Sequence, residues 1–490
     1  MSSRLIPFST ELRPPLPTIV GNVDYLTLRR RLEQIDELLR VSGVETDFVE
    51  QALEVWCAQG TPTARQQEKY QARSRRALRC NLLRTLLQED YRGFSCALAG
   101  NPLYQWFCGI DALDQVRVPS KSELQRFAHW LAADPMRALM QGLLSAGIQR
   151  AQELKLTEPI DLEEYFLDTT ALKANVHFPV DWVLLRDGVR TLMKAVTLIR
   201  RAGLKGRMEP PEAFLRRINR LCIAMTHSRR KAQSQQERKR ILRQMKKLVA
   251  VVRGHARRHR VLLDQHWEQT DWTRPQAQQV LNRIDRVLAL LPRAQKQAHE
   301  RLIGGRAVAN AEKILSLYEP DLHVLVRGKA GAEVEFGNTL LLGENRQGLI
   351  LDYQVWQEQA PADVHVLVAS LERVQALPGT VQAVGADRGF ASRVNTIGLK
   401  AAEIFNGICP RSPAELKERM KEPRFVRLQR RRSQTEARIS ILQRGFLGRP
   451  MRAKGFEHRE LAVAWGVLTH NLWLLARLRK QQEEPQRQAA

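Results

Sequence analysis

Three acidic residues, each in a different predicted element, could together act on a phosphodiester. Asp168 ends the apolar run of YFLDTTA, Asp387 ends that of VGADRGF, and Glu436 lies in LQRRRSQTEARISILQR. Cleavage of a phosphodiester by two metal ions needs hard oxygen ligands, which in a protein means carboxylates that converge on one site. If the fold brings the three together, they form a site for two divalent metal ions.

Each acid also has an ordinary structural interpretation. An Asp at a strand end is often a cap or turn residue, and Asp387 followed by Arg388 and Gly389 fits a tight turn. Glu436 lies among arginines and could be a surface ion-pair partner. The nearby acids that remain alternatives are Asp161, Glu163, Glu164 and Asp352.

Arginines flank the acids at positions that suit phosphate. A guanidinium binds a phosphate through two parallel hydrogen bonds, so Arg388 and Arg432 are predicted to contact DNA phosphates. Arg438 and Arg444, farther along the Glu436 segment, are included in the same prediction. Solvated surface arginines are the alternative for each.

The elements that must position the acids follow from hydrophobic periodicity. Apolar residues with the period of strands predict a strand at Asp168, antiparallel strands after Leu322, a buried strand ending at Asp387, and a short strand in EIFNGICP. Helices are predicted for DVHVLVASLERVQAL, with Asp363 as a plausible cap, for Pro413 to about Gly445, and for LAVAWGVLTHNLWLLARL. Without residues 181–318, this order is that of an RNase H-like α/β domain, which carries acids on its first strand, at the end of its fourth, and on a late helix.

The first 150 residues are predicted to be mostly helical. Apolar residues recur every 3 to 4 positions between Leu26 and Trp56, and Ser120 or Ser122 could cap a later helix. Short helices joined by tight turns are a common DNA-reading format, and they are also how small helical domains are built. Both interpretations stay open.

Residues 181–318 are predicted to be a basic helical insertion. Residues 228–260 hold 13 Lys/Arg and one acid, while Ile241, Leu242, Met245, Leu248 and Val252 form a helical apolar stripe. This pattern predicts an ordered helix with one basic face that contacts phosphate. The predicted DNA-binding cations here are Arg229, Arg230, Lys231, Arg238, Lys239, Arg240, Arg243, Lys246 and Lys247. Trp267 and Trp272 could stack on unpaired bases or simply pack in a helical hairpin.

The composition of the chain limits the classes of function that it can have. The 490 residues carry a formal net charge of +26 and a pI of about 10.4, which implies a polyanionic partner. No run of about 18 apolar residues and no secretory h-region is present, so we expect no membrane association and no export. The six scattered cysteines contain no CxxC pair, which favours reduced thiols in a cytoplasmic protein.

Several segments resemble a known family. YFLDTTALKANVHFP, VLVRGKAGAEVEFGNTLLL, ADRGF and QTEARISILQRGFLG are similar to segments of bacterial insertion-sequence DDE transposases, most of all the ISNCY-like branch. SCALAGNPLYQWFCGIDALDQVRVPSKSELQRF is similar to the N-terminal helical domain of those proteins. The resemblance runs from about residue 80 to 480.

The resemblance implies a catalytic triad of Asp168, Asp387 and Glu436 that holds two Mg²⁺ ions, with Mn²⁺ as a substitute. It also implies cleavage of double-stranded DNA at transposon terminal inverted repeats, attack of the freed 3′-hydroxyl on target DNA, and a homodimer or higher assembly on DNA, in the bacterial nucleoid. Related transposases carry Y-(2)-R-(3)-E-(6)-K on the Glu helix. Arg432 and Glu436 match, but the Tyr position is Gln429 and the Lys position is Gln443.

The expected architecture is therefore multidomain, α and α/β. A helical N-terminal DNA-binding domain (1–150) precedes an RNase H-like mixed-sheet catalytic domain in two segments (157–180 and 319–480). The helical insertion (181–318) interrupts that domain, and residues 481–490 form a flexible tail. The alternatives are a catalytically inactive DNA-binding derivative, a metal-dependent nuclease of the same fold and, less favoured by its few aromatics, an RNA-binding helical protein.

Overall fold

A computed structural model of the chain describes residues 16–110, 116–228, 234–329 and 332–480. The described residues divide between two compact units. The first draws on Met1–Leu172, Thr339–Trp356 and Ala360–Ala490, and the second on Lys173–Asn338 and Gln357–Gln359. The predicted tail, 481–490, and the predicted DNA-binding residues Arg229, Arg230 and Lys231 lie outside the described residues.

The N-terminal part of the first unit is helical, as its periodicity predicts. Its helices are α1 (Val23–Ser42), α2 (Val44–Cys57), α3 (Ala64–Leu87), α4 (Tyr91–Gly100), α5 (Pro102–Phe107), α6 (Lys121–Phe127) and α7 (Ala133–Gln149). Gly43 divides α1 from α2 because it adopts φ 90°, a left-handed conformation that favours glycine. Ser120, one of the two predicted caps, accepts a hydrogen bond from the Glu123 amide at the start of α6.

Six strands form one mixed sheet in the part of the chain that the structure describes. They are β1 (Glu164–Lys173), β2 (His323–Lys329), β3 (Ala332–Asn345), β4 (Ile350–Val355), β5 (Ala383–Ala386) and β6 (Phe405–Ile408). The neighbour order is β2-β3-β1-β5-β6, and β4 also pairs with β3. β2 and β4 run antiparallel to β3, whereas β5 runs parallel to both β1 and β6. The predicted strands, including the antiparallel set after Leu322, are confirmed.

The C-terminal helices differ from the sequence prediction at one point. After α12 (Leu367–Gln375) and α13 (Arg393–Ala401), the predicted single helix from Pro413 to about Gly445 is two helices, α14 (Pro413–Arg419) and α15 (Pro423–Leu442). The prediction was wrong because Pro423 lacks an amide hydrogen and is tolerated only in the first turn, so a new helix begins there. A short π-helical turn, Gln443–Leu447, follows, and α16 (Phe456–Arg477) ends the described chain.

One hydrophobic core joins the N-terminal helices to the sheet within the first unit. It extends from residues such as Leu39 and Phe107 to Val384 and Ile408. Helix α16 is apolar on nearly all sides, which is typical of a fully buried helix, and Trp465 on it donates a hydrogen bond to the Ala128 carbonyl at 3.1 Å. The N-terminal helices therefore share their core with the sheet.

The second unit is built on four long helices with their own core. These are α8 (Asp181–Arg201), α9 (Pro211–His227), α10 (Ser234–His266) and α11 (Arg274–Leu302). On α10 the predicted apolar stripe is confirmed, since Ile241, Leu242, Met245, Leu248 and Val252 are all buried. No helix among the described residues combines the length and the apolarity needed to cross a membrane.

Candidate active site

Asp168 and Asp387 lie just beyond the paired residues of two neighbouring parallel strands, β1 and β5. The pairing of β1 with β5 ends at Phe166 opposite Gly385, and each aspartate follows two residues later in the chain. Side chains two residues apart on a strand share a face, so the register directs both carboxylates to one side. Asp168 lies within β1, whereas Asp387 directly follows β5 and caps a short 3₁₀ helix through the Gly389 amide, 2.8 Å from its Oδ1.

Electrostatics link Asp168 to its neighbours. Its pKa rises from 3.8 to about 6, first because burial removes water from the charged carboxylate and then because of the negative charge of Asp387. Glu436 raises the pKa further, whereas the Thr169 amide, 2.7 Å from Asp168 Oδ1, and the positive charge of Arg432 lower it. The charges of Asp387, Glu436 and Arg432 therefore all act on the Asp168 carboxylate.

Glu436 is exposed on α15, and a buried anchor sets the position of that helix. Glu344, 3% exposed at the end of β3, accepts hydrogen bonds from Arg431 at 2.9 Å and from the Thr435 hydroxyl at 2.8 Å. Arg438 lies 3.6 Å from the other Glu344 oxygen. Because Thr435 precedes Glu436 directly, the anchor fixes which face of α15 presents the exposed carboxylate.

Gln429 and Gln443, which stand where the resemblance implies Tyr and Lys, bind the sheet. Gln429 donates from its side chain to the Gly407 carbonyl of β6 at 2.6 Å. Buried Gln443 donates to the Thr170 hydroxyl at 3.2 Å and to the Ala171 carbonyl at 3.1 Å, both on β1. Gln429 therefore holds α15 against β6, and Gln443 holds the π-helical turn against β1, the strand that carries Asp168.

The four predicted phosphate-binding arginines differ in their surroundings. Arg432 acts on the Asp168 charge, and its buried Nε has no hydrogen-bond partner among the described residues. Arg388 and Arg444 are exposed. Arg438 is half-buried, and burial lowers its pKa even though Glu344 lies beside it. Of these four arginines, Arg432 is thus the one whose charge acts on Asp168 and whose buried Nε also lacks a hydrogen-bond partner among the described residues.

Asp363 is a further acid at the site, and sequence reasoning missed it. We predicted that it caps a helix, but α12 begins at Leu367 with Val366 as its N-cap, so that prediction was wrong. Instead the Thr169 hydroxyl donates to Asp363 Oδ1 at 3.0 Å. A Cβ added at Gly389 would lie 2.8 Å from Asp363 Oδ2 and 2.9 Å from Asp387 Oδ1, so both carboxylates crowd the same stretch of backbone.

The sequence holds no clear signal for this role of Asp363. Asp363 precedes an apolar helical run, which is also the usual position of a helix-capping residue. Its contact with Thr169 arises only from the fold. A hydroxyl on the residue after Asp168 is the one hint, because a threonine there can bind a second carboxylate.

Three of the four alternative acids have structural partners. Asp352 is buried and binds Arg373 through both oxygens, at 2.8 and 2.7 Å, and also accepts from the Ser370 hydroxyl. Asp161 pairs with Arg346 at 3.2 Å, and Glu164 with Arg427 at 2.6 Å. Glu163 is exposed.

The donor set suits a hard cation, although the acids do not form a closed cage. Among the described residues, no group of three or more His, Cys, Asp or Glu side chains is arranged to hold a metal ion. Mg²⁺ often takes only one or two carboxylates from the protein and completes its shell with waters and substrate phosphates. Asp168 and Asp387, two carboxylates whose repulsion a cation would relieve, fit that pattern.

The predicted DNA-binding residues of the insertion lie in the second unit, on or after α10. Arg240, Arg243 and Lys247 are exposed, while Arg238, Lys239 and Lys246 are half-buried. Trp267 and Trp272 are half-buried and pack against the core of that unit, and the Arg274 guanidinium lies 5.4 Å from the Trp267 ring centre. This packing agrees with the structural alternative for the tryptophans, and base stacking stays a prediction.

Comparison of the chain with protein-family models, curated proteins and solved structures finds no match.

Proposed function

We propose that this chain is a DDE-type transposase, which cuts DNA at the ends of a mobile element and joins the freed 3′-hydroxyls to target DNA. The observation that carries the proposal is the position of Asp168 and Asp387 just beyond the paired residues of β1 and β5, with Asp387, Arg432 and Glu436 all acting on the Asp168 carboxylate. The net charge of +26 supports a nucleic-acid substrate.

The order of elements adds support for an RNase H-like catalytic domain. The first unit contains all or part of five strands, and β5 is the fourth of them in chain order. The acids accordingly lie on the first strand, after the fourth, and on a late helix, α15. This is the placement expected from the resemblance.

Asp168 and Asp387 would hold Mg²⁺ or Mn²⁺, with Glu436 or Asp363 as further oxygen donors. Ions held by these residues would activate a water or 3′-hydroxyl as the nucleophile and would stabilise the leaving oxygen. The chain's own part is to fix the two aspartates on rigid strands and to offer Arg432 to a phosphate, which a guanidinium binds through two hydrogen bonds. The hydrogen bonds from Arg431 and Thr435 to Glu344 hold α15, and with it Glu436, in a fixed position against β3.

A binding-only derivative is the second candidate function. It is favoured by the exposed position of Glu436, by the absence of a three-acid metal group from the described residues, and by Gln429 and Gln443, which bind backbone rather than project as Tyr and Lys would. This candidate predicts DNA binding that Asp387→Asn leaves unchanged and no cleavage that depends on a divalent metal.

The test is strand cleavage and joining on DNA that flanks the chain's own gene, with Mg²⁺ or Mn²⁺ and a supercoiled target plasmid. Transposase activity predicts metal-dependent nicks and a joined product, which Asp168→Asn and Asp387→Asn abolish while DNA affinity stays within about twofold of wild type. Glu163→Gln is the matched control, because it neutralises an exposed acid beside β1 outside the proposed site. Nicks without joining indicate a nuclease, and binding without nicks indicates the binding-only derivative.

A further inference from the structure

A groove of about 580 Å³ runs between α8 and α11 in the second unit. The helices are antiparallel, since Asp181 at the start of α8 pairs with Arg301 near the end of α11 at 2.9 Å, and Gly188 packs against Leu291. The close approach at Gly188 brings the backbones together, and the groove opens beyond it.

Four cations form the walls of this groove. Arg190 and Lys194 stand on α8, one helical turn apart, and Arg283 and Arg286 stand on α11. All four are exposed, and in the described ranges none of them makes an ion pair or a side-chain hydrogen bond. Their charge is therefore available to a ligand.

Acids do not offset this charge within the groove, since none lines it. The acids nearest in sequence are already neutralised: Asp187 pairs with Arg186 at 3.0 Å, and Asp285 pairs with Arg260 at 3.0 Å. The field inside the groove is consequently positive on both walls.

Neutral hydrogen-bonding groups complete the lining. Gln279 and Asn282 share one face of α11 with the two arginines, because positions 279, 282, 283 and 286 recur at the helical period. The Thr191 and Tyr318 hydroxyls, which also line the groove, are hydrogen-bonded to each other at 2.9 Å. Amides and hydroxyls of this kind contact the phosphates and sugars of nucleic acids.

We propose that this groove binds the sugar-phosphate backbone of DNA. The inference rests on the proposed function for the identity of the polyanion, and it adds a contact on α8 and α11 to the one that the sequence predicts on α10. A single phosphate is held by donors that converge on one point, whereas these cations are spread along two facing walls. That spacing suits successive phosphates of one strand.

The experiment measures the salt dependence of DNA affinity for the full chain, without divalent metal so that no cleavage occurs. Three variants remove the cations of one or both walls: Arg190→Gln/Lys194→Gln, Arg283→Gln/Arg286→Gln, and the combination of all four. The control is Arg216→Gln/Arg220→Gln, which removes two exposed arginines from α9 in the same unit, outside the groove. The ligands are a short DNA duplex and an RNA duplex of the same sequence.

Each lost phosphate contact should make the slope of log affinity against log salt shallower by about 0.9. We expect a decrease of roughly 2 for each double variant of the groove, roughly 4 for the combined variant, and no change for the control. Circular dichroism spectra matching wild type exclude unfolding as the cause.

Two results would overturn the inference. Groove variants with the same slope as the control would show that the four cations do not contact phosphate. A stronger wild-type affinity for the RNA duplex, lost only in the groove variants, would assign the groove to RNA. Neither result depends on cleavage, so cleavage with an unaffected slope refutes the groove alone, and a shallower slope without cleavage refutes the catalytic proposal alone.

Discussion

Asp168 on β1 and Asp387 directly after β5 occupy matching positions, each two residues beyond the last paired residues, Phe166 and Gly385. The parallel register therefore brings two like charges to the same side of the sheet. Burial of the Asp168 carboxylate and, after it, the charge of Asp387 oppose folding when Asp168 is ionised, and both raise its pKa. Buried like charges that lower the stability of the unliganded protein are typical of a functional site that binds a charged ligand.

Asp168→Asn should stabilise the chain at neutral pH. The Asp168 pKa is about 6 in the folded chain against 3.8 ordinarily, so between these values the folded chain binds more protons than the unfolded one and stability falls as pH rises. We expect Asp168→Asn to raise the free energy of unfolding by about 1–2 kcal/mol near pH 7 and to have no effect below about pH 4. Urea unfolding across this range measures the difference.

Glu163→Gln is the control for that series, because Glu163 is exposed and lies just before β1. An Asp168→Asn variant that is less stable than wild type near pH 7 would contradict the argument. It would mean that the carboxylate has favourable partners that outweigh burial and the charge of Asp387.

Gly389→Ala should disturb the acids with little effect on the rest of the fold. The new Cβ would lie 2.8 Å from Asp363 Oδ2 and 2.9 Å from Asp387 Oδ1, so at least one carboxylate must move. We expect metal-dependent cleavage to fall at least about tenfold while DNA affinity is unchanged, since a displaced ligand loses its geometry. Gly398→Ala on α13 is the matched control, because a Cβ there meets nothing within 4 Å. Equal activity of the two variants would show that these carboxylates do not take part.

The sequence predicts Asp168, Asp387 and the strands that carry them because local patterns specify both. An apolar run before an acid marks a strand in both cases, and at Asp387 it also marks the strand end, whereas β1 continues past Asp168 to Lys173. Asp363 could not be assigned in this way, since its contact with Thr169 joins residues 194 positions apart. The roles of Gln429 and Gln443 were equally hidden, because their partners are backbone and hydroxyl groups of strands distant in sequence.

The N-terminal helices illustrate a second limit. Their periodicity predicts helices correctly, yet it does not reveal which surface they cover. Only the fold shows that Phe107 and Val384 belong to one core, and that α16 lies within it. The break before Pro423 was predictable in principle from proline geometry, but the strong charge pattern on both sides suggested one continuous helix.

Glu344→Gln should cost much more stability than the same substitution at Glu164. Glu344 is buried and pairs with Arg431, so its loss leaves a largely buried guanidinium without its counter-charge, at a cost of about 3–5 kcal/mol. Glu164 pairs with an exposed arginine, Arg427, and pairs of that kind contribute roughly 0–1 kcal/mol. Chemical denaturation of the two variants compares them directly. Equal losses would refute the view that Glu344 anchors α15.

Gln443→Ala should weaken the attachment of α15 to β1. The variant removes two hydrogen bonds to Thr170 and Ala171 and leaves a buried carbonyl without its donor, so we expect a loss of about 1–3 kcal/mol in the free energy of unfolding. Because β1 also carries Asp168, cleavage should slow while DNA affinity stays unchanged.

Gln443→Lys separates this positioning role from a DNA-contacting one. The transposases that the chain resembles carry Lys at this position, so under the proposed function a Gln443 that faced DNA would accept the substitution, with higher affinity and a salt slope steeper by about 0.9. Gln443 is instead 6% exposed and bonded to β1, and a lysine placed there buries a charge without a partner. We therefore expect Gln443→Lys to be less stable than Gln443→Ala, with the salt slope of wild type. A steeper slope at wild-type stability would show that the side chain reaches DNA and that its contacts with β1 are dispensable.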